Sequence, residues 1–395
     1  MNSYLNALGV VCALGAGKAA VAEALFGGSD EGIRPVSGWI PGREAPMGAA
    51  RAALPPVPAA LASTRDNRNN RLLLAAALEI ESDIRAAIAR FGHARVGVII
   101  GTSTTGIDEA TRGIGDYRRD GAWPADYRYA HQELGAPAAF LAEWLDLAGP
   151  CYGISTACTS SARALLSARR LLRMGVCDAV LCGGADTLCG LPINGFHALE
   201  AMDGTRCNPF SQHRDGINIG EAAALFLMTR EHGPVQLFGG GASSDAHHMS
   251  SPDPRGLGAQ AAMRAALADA GLEASQIDYL NLHGTATEHN DAMEALAVDA
   301  VFPHGVPCSS TKSLTGHTLG AAGALEAAFC WLSLADAGSH RRLPPHVWDG
   351  QPDPTLPSLD LVTHGPRLAR GGRHLMSNSF AFGGNNATLI LGDAT

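Results

Sequence analysis

The sequence predicts an α/β fold made of two related halves, residues 1–233 and 234–395. Three observations carry that expectation. Apolar strand-like runs alternate with Ala/Leu-rich helical runs, an order that gives parallel-rich sheets covered by helices. Hydrophobic residues make up 46% of the 395 and charged residues 17%, too apolar for a disordered chain, and 47 glycines mark many tight turns. The order of elements then restarts. PCYGISTACTSSARALLSARRLL (150–172) and VPCSSTKSLTGHTLGAAGALEAAFCWLSL (306–334) are each a strand, a Ser/Thr-rich turn and an Ala/Leu helix.

In the first half, 5–14 reads as a strand and 18–26 as a short helix. Residues 27–58 are Gly/Pro-rich and read as irregular. The periodic run from Arg65 to Gly92 predicts one long amphipathic helix, and 96–104 a strand. Residues 112–135, polar with scattered aromatics, read as a surface excursion. The central strand–Cys158–helix unit follows, then strands at 178–186 and 223–231. The second half supplies a strand at 235, a helix at 257–272, a strand at 277–285 and the helix NDAMEALAVDAVF. After these come a strand at 306–311, a helix from about His317 to Asp336, and two closing strands within 375–392 joined by a Gly-rich turn. Helices of matching units lying back to back would turn Cys158 and the 312–317 turn toward one cleft.

Composition also excludes classes of function. A net charge of −9 argues against general nucleic-acid binding, so an acidic partner needs a local basic patch. Nine cysteines form no CxxC pair and no usual zinc spacing, which suits a reducing cytosol better than a disulfide framework. The apolar N-terminus lacks a basic n-region, and no uninterrupted apolar run has membrane-spanning length.

The chemistry concentrates in three stretches. In STACTSS, Cys158 sits at the start of a helix, where the dipole and unpaired N–H groups favour a thiolate and can hold an oxyanion. That dipole is worth about 0.3–1 kcal/mol, so it ionises the thiol only in part. A small buried core cysteine is the alternative reading. In NLHGTATEHND, His283 ends a strand just before Gly284. In SSTKSLTGHTLGAAGALEA, His317 stands between small residues that leave room for a ligand. Glu326 is the interior charge of a helix apolar nearly all round, so burial would require a cation such as Lys312, or a histidine. A polar seam at the surface is the other possibility for it.

These stretches resemble the elongating β-ketoacyl-acyl-carrier-protein synthases, or ketosynthases, of the thiolase superfamily. The STACTSS cysteine, the HGTxT motif, the Lys-x-x-x-x-His turn running into GHTLGAAG, and the terminal NSFAFGGNN occur in that family's order across essentially the whole chain. The resemblance implies a thiolase-like fold of two duplicated βαβαβαββ halves in five α-β-α-β-α layers. The first half would carry the nucleophile and the second the histidines. The implied reaction is decarboxylative condensation of a Cys158-bound acyl chain with malonyl carrier protein, without cofactor or metal. His283 and His317 would then bind the malonyl thioester carbonyl, and Lys312 and Glu326 would orient and charge-balance them. Thr285 and Thr287 would contact the phosphopantetheine arm. Phe380 and Phe382 would gate the site, the Phe382 N–H joining that of Cys158 as an oxyanion donor. Arg65, Arg68 and Arg71, at the start of the predicted long helix, would dock an acidic acyl carrier protein, with a solvated charged face as the plainer alternative.

The resemblance further implies a cytoplasmic homodimer, or a heterodimer with a chain-length-factor-like subunit, and a reading of His283, His289 and Asp291 as no metal site. Wording such as CNPFSQHRDGINIGEAAALFLM resembles ketosynthases of aryl-polyene clusters more than housekeeping ones. Three positions depart from the common pattern: Glu288 stands where Pro is usual, Ala381 where Gly is usual, and Asn385 where Thr is common. Rival readings are a non-catalytic chain-length or scaffold subunit, which would lose the nucleophile, and a CoA-dependent thiolase. The thiolase needs a second, C-terminal cysteine, and none follows Cys330. A Cys-His hydrolase would leave Lys312 and the second histidine without a role.

Overall fold

The computed structural model describes residues 2–335, 342–363 and 373–393. Five strands of the first half, β1 (Tyr4–Cys12), β2 (Val96–Gly101), β3 (Cys151–Ile154), β4 (Ala179–Asp186) and β5 (Ala222–Thr229), lie in the order β3-β2-β4-β5-β1. Five of the second, β6 (Val235–Ser244), β7 (Tyr279–Asn281), β8 (Pro307–Ser309), β9 (His374–Ala381) and β10 (Asn385–Asp393), lie as β8-β7-β9-β10-β6. The two orders are the same, and so are the directions. In each half the first three strands of that order run parallel and the last two pairings are antiparallel. β1 meets β6 over Tyr4 and Leu5, so the halves join edge to edge in one twelve-stranded sheet.

The helix Ser160–Arg173 from one half packs on Ala322–Ala335 from the other, and both touch strands of both halves. Outside them, Arg68–Glu79 covers β1, β4 and β5, and Leu257–Ala270 covers β6 and β10. The layers therefore run α-β-α-β-α. Ala322–Ala335 is apolar nearly all round because it is buried on every side, Ser160–Arg173 turns an apolar face to it, and the largest core cluster forms around the two.

Four expectations change. Residues 27–58 contain a hairpin, Arg34–Ile40 with Arg43–Met47, whose prolines (Pro35 opposite Pro46) hid it from a pattern-based reading. The long helix is three: Ala59–Arg65, Arg68–Glu79 and Glu81–Phe91. It breaks at Ile80, beside Glu79, whose carboxylate accepts the N–H groups of Val10 and Lys18. The 112–135 excursion overlaps a helix, Ile107–Asp120, followed by stacked Trp123 and Tyr127. The last long helix begins at Ala322 and not at His317, because Leu319 has a left-handed φ of 51° that no α-helix continues through. Its expected end, Asp336, lies outside the described residues.

Candidate active site

β3 stops at Ile154, and five residues separate it from the Ser160–Arg173 helix. Within that turn Ala157 has a φ of 51°, a conformation costing a non-glycine residue about 1–2 kcal/mol. Side-chain hydroxyls hold it there. Ser160 Oγ donates to the Ala157 carbonyl at 2.5 Å and accepts the Thr156 N–H at 2.9 Å, and Thr159 Oγ1 donates to the Thr156 carbonyl at 2.8 Å. The crowd of Ser and Thr in STACTSS is thus a brace, and the strained turn sets Cys158 just before the helix.

His317 reaches the thiol from the other half, its Nε2 2.9 Å from Cys158 Sγ. Its Nδ1 accepts the backbone N–H of Leu319 at 3.3 Å. A backbone nitrogen can only donate, so the neutral ring carries its proton on Nε2, facing the sulfur. His283 stands edge-on to His317, ring centroids 5.2 Å apart. Lys312 Nζ lies 3.4 Å from His283 Nδ1, donates to the His283 carbonyl, and pairs with Glu326 Oε1 at 2.5 Å. An ammonium likewise has only protons to offer, so His283 also carries its proton on Nε2. Lys312 and Glu326 are both buried, which removes the surface-seam alternative for Glu326.

Burial governs the electrostatics. It pushes the Cys158 thiol up to about 12, with Lys312 pulling the other way and Asp186 and Glu326 reinforcing it. It holds both imidazoles well below their ordinary range, helped by the Lys312 charge and, for His283, by His317. It raises Glu326 to about 7 against the pull of Lys312. The resting site is therefore a thiol beside two neutral N–H donors, and the partial ionisation expected from the helix dipole is overruled by burial. The Cys158, His283 and His317 donor atoms lie within 4.8 Å of one another, close enough to suggest a metal. Their outer partners argue against one. A metal-bound imidazole donates its far N–H to an acceptor, whereas both far nitrogens here face donors.

Two family models, "Beta-ketoacyl synthase, N-terminal domain" and "Beta-ketoacyl synthase, C-terminal domain", match residues 61–233 and 236–347. The chain belongs to the β-ketoacyl synthase family. It is 35% identical to Nodulation protein E of Rhizobium meliloti (strain 1021) over 308 residues, 75% of each chain. It is 33% identical to 3-oxoacyl-[acyl-carrier-protein] synthase 2 of Vibrio cholerae over 338 residues, 80% of each. Among solved structures it superposes on the ketosynthase ApeO of Xenorhabdus doucetiae, solved in complex with its chain length factor ApeC. The TM-score is 0.94 and the identity 48%, covering 99% of this chain and 98% of that one. As a ketosynthase it is an acyltransferase that lengthens acyl chains by decarboxylative Claisen condensation.

The ketosynthase site opens through a cavity of about 230 Å³ lined by the thiol, both histidines, Thr285, Thr287 and Phe380. Thr285 and Thr287 share a hydrogen bond of 2.9 Å at its wall. Phe380 is buried, its ring 5.9 Å from that of His283, while Phe382 is 40% exposed and leans on Phe196 at 5.2 Å. Ala381 lines the same cavity within β9, without the positive φ that would demand glycine. Glu288 is exposed and opens the helix Glu288–Val301, where a carboxylate suits the dipole.

Each of the three arginines expected to dock a carrier protein sits in an ion pair. Arg65 ends its own short helix, where a cation is favourable, and pairs with Glu143. Arg68 pairs with the fully buried Glu221, and Arg71 with Asp66. Asp291 does not join His283 and His289 but accepts the N–H groups of Phe210 and Ala286.

Two buried carboxylates were not singled out from sequence. Glu294 accepts the N–H groups of His283 and Gly284 at 2.8 and 2.7 Å, fixing the turn just past β7, and burial raises it to about 7. Its place on an amphipathic helix eleven residues after His283 was the available signal. Asp186, at the end of β4, reaches the backbone beside His317, and nothing local in GGADT announces that.

Proposed function

We propose that Cys158 accepts an acyl chain from an acyl carrier protein and that His283 and His317 drive its two-carbon extension with malonyl carrier protein. The observation that carries this is the pair of fixed Nε2–H donors beside the thiol. In the first step Sγ attacks the thioester carbonyl. The carrier's C–S bond breaks and its phosphopantetheine thiol leaves with the Cys158 proton. The N–H groups of Cys158 and Phe382 are the proposed donors to the oxyanion, and the Nε2–H of His317 steadies charge on sulfur. In the second step the malonyl C–CO2 bond breaks and its electrons move onto the thioester oxygen, between the two imidazole donors. The resulting enolate carbon attacks the Cys158-bound acyl carbonyl, forming the new C–C bond. Sγ then leaves as a thiolate, which takes a proton from solvent to restore the thiol, and the product is a 3-oxoacyl carrier protein.

Thr285 and Thr287 are placed to receive the phosphopantetheine arm, and Phe380 with Phe382 to guard the mouth. Lys312 and Glu326 hold the donors in position. If Arg65, Arg68 and Arg71 meet the carrier, they do so as ion pairs whose carboxylates must yield. We assign a cytosolic setting, in keeping with nine free cysteines, and a chain-length-factor-like partner, in keeping with the ApeO and ApeC assembly. The wording of CNPFSQHRDGINIGEAAALFLM favours a polyene pathway over primary fatty acid synthesis.

The test is condensation of acyl and malonyl carrier proteins, with and without a candidate partner, by the parent and by Cys158→Ala. A C158A variant that condenses at the parent rate contradicts the assignment. Reversible CoA-dependent cleavage without malonyl decarboxylation identifies a thiolase instead.

A further inference from the structure

The carboxylate of Asp186 is fully buried beneath the turn that carries His317. Six donors surround it: Thr102 Oγ1 (2.7 Å), Ser103 N (2.8 Å) and Oγ (2.5 Å), Thr104 N and Oγ1 (2.9 Å each) and Gly320 N (2.6 Å). Both threonine hydroxyls already accept a backbone N–H, from Thr105 and Thr187, so each gives its own proton to the carboxylate. Burial pushes this carboxyl above its ordinary range, and the donors on Ser103, Thr102 and Thr104 pull it back toward the ionised form that such a ring is built to hold.

The Gly320 contact matters most. A Cβ on that residue would lie 2.7 Å from Asp186 Oδ2, so the close approach requires glycine. Gly320 follows Leu319, which is left-handed and whose N–H fixes the His317 ring. We propose that Asp186 is a positioning residue for His317: by anchoring Gly320 it keeps Leu319 in place, and so keeps the His317 proton on Nε2, aimed at the reacting atoms. The same negative charge faces the Cys158 thiol, along with Glu326 and the opposing Lys312, and favours the protonated sulfur. Asp186 thereby biases the site toward donating imidazoles and away from a thiolate–imidazolium pair.

The inference rests on the condensing reading and has a test that separates the two. In Asp186→Asn an amide N–H2 opposes either the Gly320 N–H or the Ser103 and Thr104 donors, and one negative charge is gone. Malonyl carrier protein decarboxylation should fall roughly 100-fold, the cost of misplacing a catalytic group. Alkylation of Cys158 by iodoacetamide, followed against pH by peptide mass spectrometry, should shift to lower pH and quicken near neutrality. A merely structural role lowers both rates together. Gly320→Ala serves if Asp186→Asn does not fold: it keeps the charge, breaks the contact and should lose decarboxylation. Decarboxylation within about threefold of the parent with an unmoved alkylation profile overturns the proposal, as does a joint fall in a folded variant. A parent that never decarboxylates malonyl carrier protein refutes the condensing reading instead, and the carrier-independent alkylation profile still judges Asp186.

Discussion

The two halves share a strand order and directions, yet their equivalent strand–turn–helix units present different groups to one site. Between β3 and its helix only residues 155–159 intervene, and the turn sets a thiol just before the helix start. Between β8 and its helix, residues 310–321 intervene, and the extra length holds Lys312, His317 and the strained Leu319. A short turn leaves room for one reactive atom at a helix start. A longer one can fold back and present a cation and an imidazole. The difference teaches that the duplicated scaffold fixes where the reacting groups meet, while turn length decides what each half contributes.

That division can be broken from either side. The largest expected effect is on the first-half turn: Cys158→Ala should abolish condensation, leaving malonyl decarboxylation because the donors remain. Parallel assays of the two half-reactions check this. From the second half, His283→Ala should lower decarboxylation by about 10²–10³ while acyl loading of Cys158 persists, since each oxyanion donor is worth that much in a dry site. Loss of loading to the same degree would mean that the halves do not divide the chemistry.

Much of this division was legible in the sequence, for a physical reason. The two turns are local: composition marks STACTSS and STKSLTGH, and an isolated glutamate in an apolar helix demands a cation, which Lys312 supplies. Two of the misreadings, the helix break and the state of Arg68, involve partners distant in the chain. The break at Ile80 lies beside Glu79, whose partners are in β1 and the next helix, and Arg68 is neutralised by Glu221 from β5's entry. Asp186 earns its position from Gly320, 134 residues away. Patterns along a chain report elements and their faces, but not which carboxylate closes on which turn.

Smaller effects sharpen the comparison. Lys312→Ala leaves Glu326 buried and unpaired, and should destabilise the protein by about 3 kcal/mol near pH 8. The folded state already holds Glu326 at about 7, above its ordinary 4.5, so folding binds a proton and stability falls as pH rises through that window. Without Lys312 the carboxyl rises further, so the deficit should shrink as pH drops toward 5. Thermal unfolding of parent and variant across that range reads it. The smallest effect is at the strained turn of the first half: Ala157→Gly relieves a left-handed alanine and should raise stability by about 0.5 kcal/mol, with loading of Cys158 unchanged.

A thiol from one half and donors from the other are expected to act on one acyl chain. Intact-protein mass spectrometry tests this directly, with acyl carrier protein added first and malonyl carrier protein second. The prediction is one acyl adduct on the Cys158 peptide, then its loss with release of carbon dioxide and a carrier-bound product longer by two carbons. An adduct on another cysteine, or one discharged only as free acid when malonyl carrier protein arrives, would contradict it.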